Sequence, residues 1–308
     1  MILKRRRFRK KDIPLLIVMS VFLLLALFPY IRLWLRSVQR EEIDPLSETE
    51  RTLHVVFLSV GQGDSTLIKL GQWSALIDTG VYDSYEAVSS GLKEYGVEEL
   101  DAVFITHPHY DHSGCLQSIL RDIPVEHVYF ADIPEELMPT GEWYERELDI
   151  IGEKHIPLSI LYKGDVVYAG DSGALIETLW SGNGEDLNNC SLILRLTYGK
   201  THILFTGDAE WQTEKELLNS GSELSSQILK VGHHGSYYSS SNQFVRTVHP
   251  DYAIISCGAD NEFGYPKEDV ISRFQSVGAQ ILRTDLQGNI HFVIFNDSIR
   301  YETEEITS

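Results

Sequence analysis

Hydrophobic positions are arranged in two different ways along the chain. From Ile13 to Ile31 the sequence IPLLIVMSVFLLLALFPYI carries no charge. A helix rises about 1.5 Å per residue, so this run reaches roughly 28 Å, close to a hydrocarbon core of about 30 Å. The pattern predicts a transmembrane helix over 13–36, followed by a polar tether at 37–51 that is broken by Pro45. After Arg51 the apolar runs shorten to strand length. LHVVFLSV (53–60), STLIKL (65–70) and SALIDTG (74–80) predict three consecutive strands, with tight turns at GQGD and GQ. A helix is predicted over 84–95, then a buried strand at DAVFIT (101–106) and a helix over 113–121 capped by Ser113. Residues 131–164 show no clear period and read as an elaboration beside the site. In the second half SLILRL (191–196) and THILFTGD (201–208) pair as strands, and SSQILKVG (225–232) and DYAIISC (251–257) are further strands. Helices are expected over 211–220, 240–248 and 267–277, before the final strands QILRT, NIHFVIF and SIRYE. No solenoid period appears. The order of elements suits one α/β domain over 52–308, with helices outside two sheets.

Charge separates the same two regions. The chain carries 26 Lys+Arg against 45 Asp+Glu, a net charge of −19. Residues 1–50 hold ten bases and six acids, leaving 16 bases and 39 acids, a net of −23, to the globular part. The bases between Lys4 and Lys11 precede the apolar run, which predicts a cytoplasmic segment at 1–12 and an extracytoplasmic domain on a single-pass cell-membrane anchor. Tyr30 and Trp34, with Arg32 and Arg36, are residue types expected at the far interface. The competing reading is a cleaved signal peptide that releases a secreted domain, although no small-x-small site follows the run. The acidic excess opposes nonspecific coating of nucleic acid, which depends on counterion release by basic side chains. Phosphate chemistry in such a domain requires a local positive centre. Cys115, Cys190 and Cys257 are widely spaced and form neither a disulfide framework nor a zinc pattern.

The chemistry is concentrated in THPHYDHSG (106–114), directly after a predicted buried strand. In extended geometry His107 and His109 project to one side, and the turn that follows lets Asp111 and His112 face the same cavity. A single tetrahedral ion with an open position does not accommodate four ligands so closely spaced. His107 and His109 are therefore expected on one ion, with Asp111 and His112 on a second. LFTGDAE (204–210) ends another strand at Asp208, whose two oxygens suit a bridge between cations. LKVGHHGS (229–236) supplies His233 and His234. One of them completes the second ion, and its neighbour supports the ligands or faces the substrate.

These segments resemble the metallo-β-lactamase superfamily, with its HxHxDH, GD-type aspartate and late histidine. The chain is most similar to the hydrolase domain of ComEC/Rec2-type competence proteins. FLSVGQGDSTLI (57–68), LIDTG (76–80), NNCSLILRL (188–196), LKVGHHGSYYSSS (229–241), IISCGADNEFGYP (254–266) and TDLQGNI (284–290) carry that narrower likeness. The resemblance implies an αββα sandwich with a centre of two divalent ions, Zn²⁺ or Mn²⁺, at its sheet edge. It also implies metal positions at His107, His109, Asp111, His112, Asp208 and one of His233 or His234, with His234 favoured because Gly-Ser follows it. Asp111, Asp208 and His233 are the residues expected in the reaction itself. Asp78 is expected to accept a hydrogen bond from a metal histidine, with Asp64, Asn189 and Ser236 also in support. The serines and tyrosines of 236–241 read either as a phosphate-holding loop or as a solvated helix cap. The chain departs from the superfamily at Asn188–Ser191, where a further histidine is common although the competence branch likewise has asparagines, and from the branch at Ser59 for an aspartate and at Phe263-Gly264-Tyr265-Pro266 for YGHP.

The expected activity is hydrolysis of a phosphodiester, including DNA, by water activated at the ions, in a protein that works beside DNA-uptake machinery. Two rivals stand beside it. One is a hydrolase of carboxylic esters, lactones or thioesters on the same fold; the other is a non-catalytic accessory protein of an uptake or envelope complex.

Overall fold

The computed structural model describes residues 51–304 except 171 and 172. The basic segment, the expected anchor and all of the tether before Arg51 lie outside the described residues, among which no helix is long and apolar enough to cross a membrane.

Two sheets face each other across an apolar layer. The first has the order β15-β14-β1-β2-β3-β4-β5-β6, formed by β1 (Leu53–Phe57), β2 (Thr66–Leu70), β3 (Trp73–Ile77), β4 (Ala102–Ile105), β5 (Val128–Ala131), β6 (Leu158–Leu161), β14 (Ile290–Phe295) and β15 (Ser298–Thr303). The second runs β13-β12-β11-β10-β9-β8-β7. Its strands are β7 (Val166–Ala169), β8 (Ala174–Trp180), β9 (Ile193–Tyr198), β10 (Thr201–Phe205), β11 (Ile228–Lys230), β12 (Tyr252–Ile255) and β13 (Gln280–Arg283). The opening meander β1-β2-β3 is antiparallel, as the short turns require, and β3 through β6 are parallel. In the second sheet β10 through β13 are parallel.

Strand alternation divides the side chains between layers. Leu53, Val55 and Phe57 of β1 and Phe104 of β4 enter the layer between the sheets, against Phe205, Ile228 and Ile254. Val56, Val103 and Ile105 point the other way, onto α1 (Tyr85–Glu94), α3 (Leu116–Asp122) and α4 (Glu142–Glu153). The outer face of the second sheet is covered by α5 (Trp211–Asn219), α6 (Asn242–Val248) and α7 (Glu268–Ser276), through residues such as Leu217, Phe244 and Phe274. The result is the four-layer α/β sandwich expected from the sequence.

The differences from expectation have local causes. The strands predicted to reach residues 80, 106 and 208 stop at Ile77, Ile105 and Phe205, because the chain leaves the ladder where the site loops begin. Ser113 does not cap a helix over 113–121. It ends a separate turn, α2 (Tyr110–Ser113), and α3 starts after Cys115. The break is held by Thr79 N–H donating to His112 O (2.6 Å) and Cys115 N–H to Gly80 O (3.3 Å), which tie the histidine loop to the end of β3. Within 131–164 the structure has α4, whose Tyr144, Glu147, Ile150 and Ile151 form a buried stripe, and β6. The pair β7 and β8 was not expected either. β6 and β7 are only four residues long and leave apolar side chains such as Leu158, Val166 and Tyr168 exposed, so they are short runs at the sheet edges.

Candidate metal centre

Loops following four strands converge at one edge of the sandwich. Asp78 follows β3, the run 106–113 follows β4, Gly207-Asp208 follows β10, and the single turn Gly232–Gly235 follows β11. Asp78 (φ 57°), His233 (φ 49°) and His234 (φ 52°) all occupy the left-handed region, where non-glycine residues cost about 1–3 kcal/mol each. Surrounding hydrogen bonds hold them there: Asp78 N–H donates to Phe104 O (2.8 Å) and His233 N–H to Gly207 O (3.1 Å). The GQGD turn packs against the histidine loop. A Cβ on Gly63 would lie 2.5 Å from Asp111 O, so only glycine permits the approach that lets Asp64 N–H donate to that carbonyl at 3.1 Å.

Asp64, His112, Asp208 and His234 are all buried, and each offers a ligand atom within 4.8 Å of the others. His112 Nε2 lies 3.2 Å from Asp208 Oδ1, and His234 Nε2 lies 3.2 Å from Asp111 Oδ2 and 3.7 Å from Asp208 Oδ2. His107 Nε2 and His109 Nδ1 are 2.9 Å apart on the adjoining side, where the His107 and His112 ring centroids are separated by 4.2 Å. All six positions assigned to metal from the sequence thus meet in one place. Asp64, expected in support, lies beside them: its Oδ1 is 3.7 Å from His234 Nδ1.

Hydrogen bonds aim the rings. Asp78 takes Thr106 N–H on Oδ1 and the Thr106 hydroxyl on Oδ2, both at 2.7 Å, and Oδ2 also accepts His112 Nδ1–H at 2.8 Å. His234 Nδ1–H donates to Ser256 O at 2.9 Å. Both Nε2 lone pairs are therefore available toward Asp208 and Asp111. Burial opposes charge on His112, but the Asp208, Asp78 and Asp111 carboxylates outweigh it and hold this imidazole well above its usual pKa. His234 is raised likewise, with Asp208 and Asp64 overcoming burial. Burial would raise Asp208; His112, His234 and His233 together hold it well below the carboxylate range. His107 is held well below its usual value by burial and by His112.

The donor set fits divalent cations. His112 Nε2, Asp208 Oδ1 and Asp64 Oδ1 are buried, and apart from the 3.2 Å approach of the first two to each other none meets a hydrogen-bond partner. Such atoms are costly unless something pairs with them. Imidazole nitrogens beside carboxylates are the ligands zinc and manganese take, and a bound cation would displace the protons that otherwise neutralise this cluster.

Around the cluster, the remaining residues sort by contact. His233 stays partly exposed, with Nε2 3.8 Å from Asp208 Oδ2 and Nδ1 3.1 Å from Glu210 Oε1. The Asn189 amide binds both Asp186 oxygens, and its Oδ1 accepts from Glu210 N–H and the Thr213 hydroxyl. Ser236 Oγ accepts the Tyr265 hydroxyl at 3.2 Å. The 236–241 loop is not a solvated cap throughout. Ser236, Ser239 and Ser240 are buried, and the Ser239 hydroxyl donates to Gly232 O (2.6 Å), while Ser241 alone caps α6, accepting from Phe244 N–H. Sequence reasoning missed Glu210, Lys230 and Ser191. Lys230 Nζ pairs with Asp64, and Ser191 Oγ sits between His107 Nδ1 (3.4 Å) and Asp208 N–H (3.0 Å). All three lie within the quoted motif segments, but nothing in those segments revealed their long-range partners.

Residues 58–259 match the family described as Metallo-beta-lactamase superfamily. The chain belongs to this superfamily. It is a metallo-beta-lactamase-fold hydrolase with a candidate metal site at Asp64, His112, Asp208 and His234. It is 28% identical over 281 residues to ComE operon protein 3 of Bacillus subtilis, covering 82% of this chain and 35% of that protein. It is 30% identical over 263 residues to Competence protein ComA of Neisseria gonorrhoeae, covering 80% of this chain and 33% of the other. The chain thus spans about a third of the length of these relatives. Among solved structures, the metallo-beta-lactamase fold protein YhfI of Bacillus subtilis matches with a TM-score of 0.50 at 16% identity, covering 75% of this chain and 96% of that one, a likeness of fold.

Proposed function

We propose that this superfamily member is a phosphodiesterase or nuclease dependent on two divalent ions, Zn²⁺ or Mn²⁺. The observation that carries the reading is the buried pair His112 Nε2 and Asp208 Oδ1, 3.2 Å apart with no partner but each other, among four further candidate histidine and aspartate ligands. His107 and His109 would hold one ion and Asp111, His112 and His234 the other, with Asp208 between them. Bound there, divalent cations supply Lewis acidity toward a phosphoryl oxygen and lower the pKa of water. The chain's own groups do the rest. Asp78 and Ser256 O keep the His112 and His234 rings oriented. Asp208 takes the position from which a carboxylate oxygen can orient water, with Asp111 beside it. His233, half open and braced by Glu210, stands where a substrate oxygen would accept or release a proton.

The overall acidity of the domain repels polyanions, so the reading places phosphate recognition at the loaded cleft. The kinship with competence proteins supports DNA or another nucleotide polymer as substrate, and DNA-uptake machinery as the setting. The charge-free run 13–31 behind the basic block supports a membrane anchor with the domain outside. The test is a substrate panel on the full chain supplied with Zn²⁺ or Mn²⁺, scored against His109→Ala. Bis(p-nitrophenyl) phosphate and oligonucleotides should be hydrolysed by the parent only. Faster turnover of a lactone or thioester than of any phosphodiester, or rates that His109→Ala leaves unchanged, would sink the proposal.

A further inference from the structure

One rim of the centre carries a group of aromatic rings in the open. Trp211, Tyr237, Tyr238 and Phe263 are 38%, 45%, 58% and 50% exposed. They continue the site directly: Trp211 follows Glu210, Tyr237 and Tyr238 follow Ser236, and Phe263 stacks on Tyr265 at 5.5 Å between centroids. Tyr265 in turn lies 5.7 Å from the His233 ring. The rings support one another. Trp211 meets Tyr237 at 5.3 Å and Tyr238 at 6.2 Å, and Trp211 N–H donates to Tyr238 O at 2.9 Å.

Arg246, Lys267 and Arg273 stand at the same rim, beside Asp269. The Arg273 guanidinium lies 5.6 Å from the Trp211 ring and 5.4 Å from the Tyr237 ring, and Lys267 Nζ lies 5.3 Å from the Tyr265 ring. Beyond Arg273 an open groove of about 340 Å³ is lined by Asn242, Arg246, Asp269, Ser272, Arg273 and Ser276. Partly exposed rings beside guanidinium and ammonium groups match a polyanion whose unpaired bases are free to stack. A duplex keeps its bases buried against each other, and a base-free polyphosphate has no use for rings.

Resting on the phosphodiesterase reading, we propose that Trp211, Tyr237, Tyr238 and Phe263 form a base-stacking platform for single-stranded nucleic acid, with Arg246 receiving its phosphates and Arg273, held by the Tyr237, Ser239 and Ser240 carbonyls, bracing the rings. The platform selects unpaired strands and feeds them to the metal centre.

The experiment reads binding in chelator, where no strand is cut. The full chain is titrated into a labelled oligothymidylate of about 12 nucleotides, a length in the usual range for such sites, into an abasic strand of equal length, and into a duplex. The oligothymidylate should bind about tenfold or more tightly than either competitor, and should change the Trp211 fluorescence, identified by its loss in Trp211→Phe. The double substitution Tyr237→Ala/Tyr238→Ala should remove that preference, and the Tyr→Phe pair should keep it; thermal unfolding of both checks that they fold. Arg246→Ala should weaken both single strands and lower the salt slope by about one. Equal affinity for base-bearing and abasic strands, no detectable binding of either, or equal losses in the Phe and Ala pairs would overturn the platform. Base-dependent binding without hydrolysis of any phosphodiester by the loaded enzyme would overturn the phosphodiesterase reading instead.

Discussion

Lys230 Nζ lies 2.5 Å from Asp64 Oδ2, and both side chains are buried at the metal cluster. The lysine also donates to Val231 O at 2.8 Å, so its charge is paired on one side and hydrogen-bonded on the other. This pair links the GQGD turn to the strand that delivers His233 and His234. Removing one partner strands the other's charge in the interior, which typically costs about 3–5 kcal/mol. Lys230→Met is expected to lose stability on that scale in urea unfolding. Adding Asp64→Leu should restore part of it, because the uncompensated carboxylate is then gone. Equal losses in the single and double variants would show that the pair contributes packing alone.

Asp78 acts on the centre through His112. Asp78→Asn presents an amide that no longer demands the Nδ1–H form of the ring, and the lone pair at Nε2 is no longer assured. Supporting groups of this type typically contribute 10- to 100-fold in metal affinity. A loss in that range is expected from competition with a calibrated chelator. An unchanged affinity would mean that Thr106 and the loop backbone suffice to aim the ring.

His233 and His234 are adjacent in sequence and differ in role. His234→Ala should lower metal content, since its Nε2 is directed between Asp111 and Asp208. His233→Ala should keep its metal and lose about 10²- to 10⁴-fold in diester hydrolysis, the range for a lost proton-transfer group. Elemental analysis paired with rates separates the two. Loss of metal from the His233 variant would reverse the assignment.

Glu147 predicts a pH dependence of stability. It is fully buried on α4, both carboxyl oxygens lack hydrogen-bond partners, and burial pushes its pKa up to about 9. The folded protein then keeps a proton that the unfolded chain releases near the ordinary glutamate value. Its contribution is fully present below that value and declines as pH rises toward about 9, by at most about 1.4 kcal/mol per pH unit. Urea unfolding between these limits should show the decline in the parent and a flatter profile in Glu147→Gln. Parallel profiles would mean the carboxyl is ionised in the fold.

How far the site could be read from the sequence followed from how its residues are spaced. His107, His109, Asp111 and His112 share one loop, so backbone geometry alone suggested their convergence. Asp208 and the His233-His234 pair were found because each ends an apolar strand at a glycine. Glu210 and Lys230 stood in the same segments without notice, because a carboxylate or ammonium gains a role only from its partner, here 23 residues away for Glu210 and on another sheet's turn for Lys230. The helix α4 was hidden by its composition: its buried stripe includes Glu147, a residue that hydrophobic periodicity counts as surface.

The superfamily resemblance, the alternation of strands and helices, and the division of charge between the first fifty residues and an acidic domain are all legible in the linear order of residues. These are local properties, set by the side-chain periods of strand and helix and by ligands placed on single loops. Packing in three dimensions sets Asp64 beside the candidate ligands, turns His234 toward the centre while His233 stays partly exposed, and gathers aromatic side chains from α5 and two separate loops at one rim. Those facts depend on distances between segments far apart in the chain, which arise when two sheets pack and bring their strand ends to a common edge.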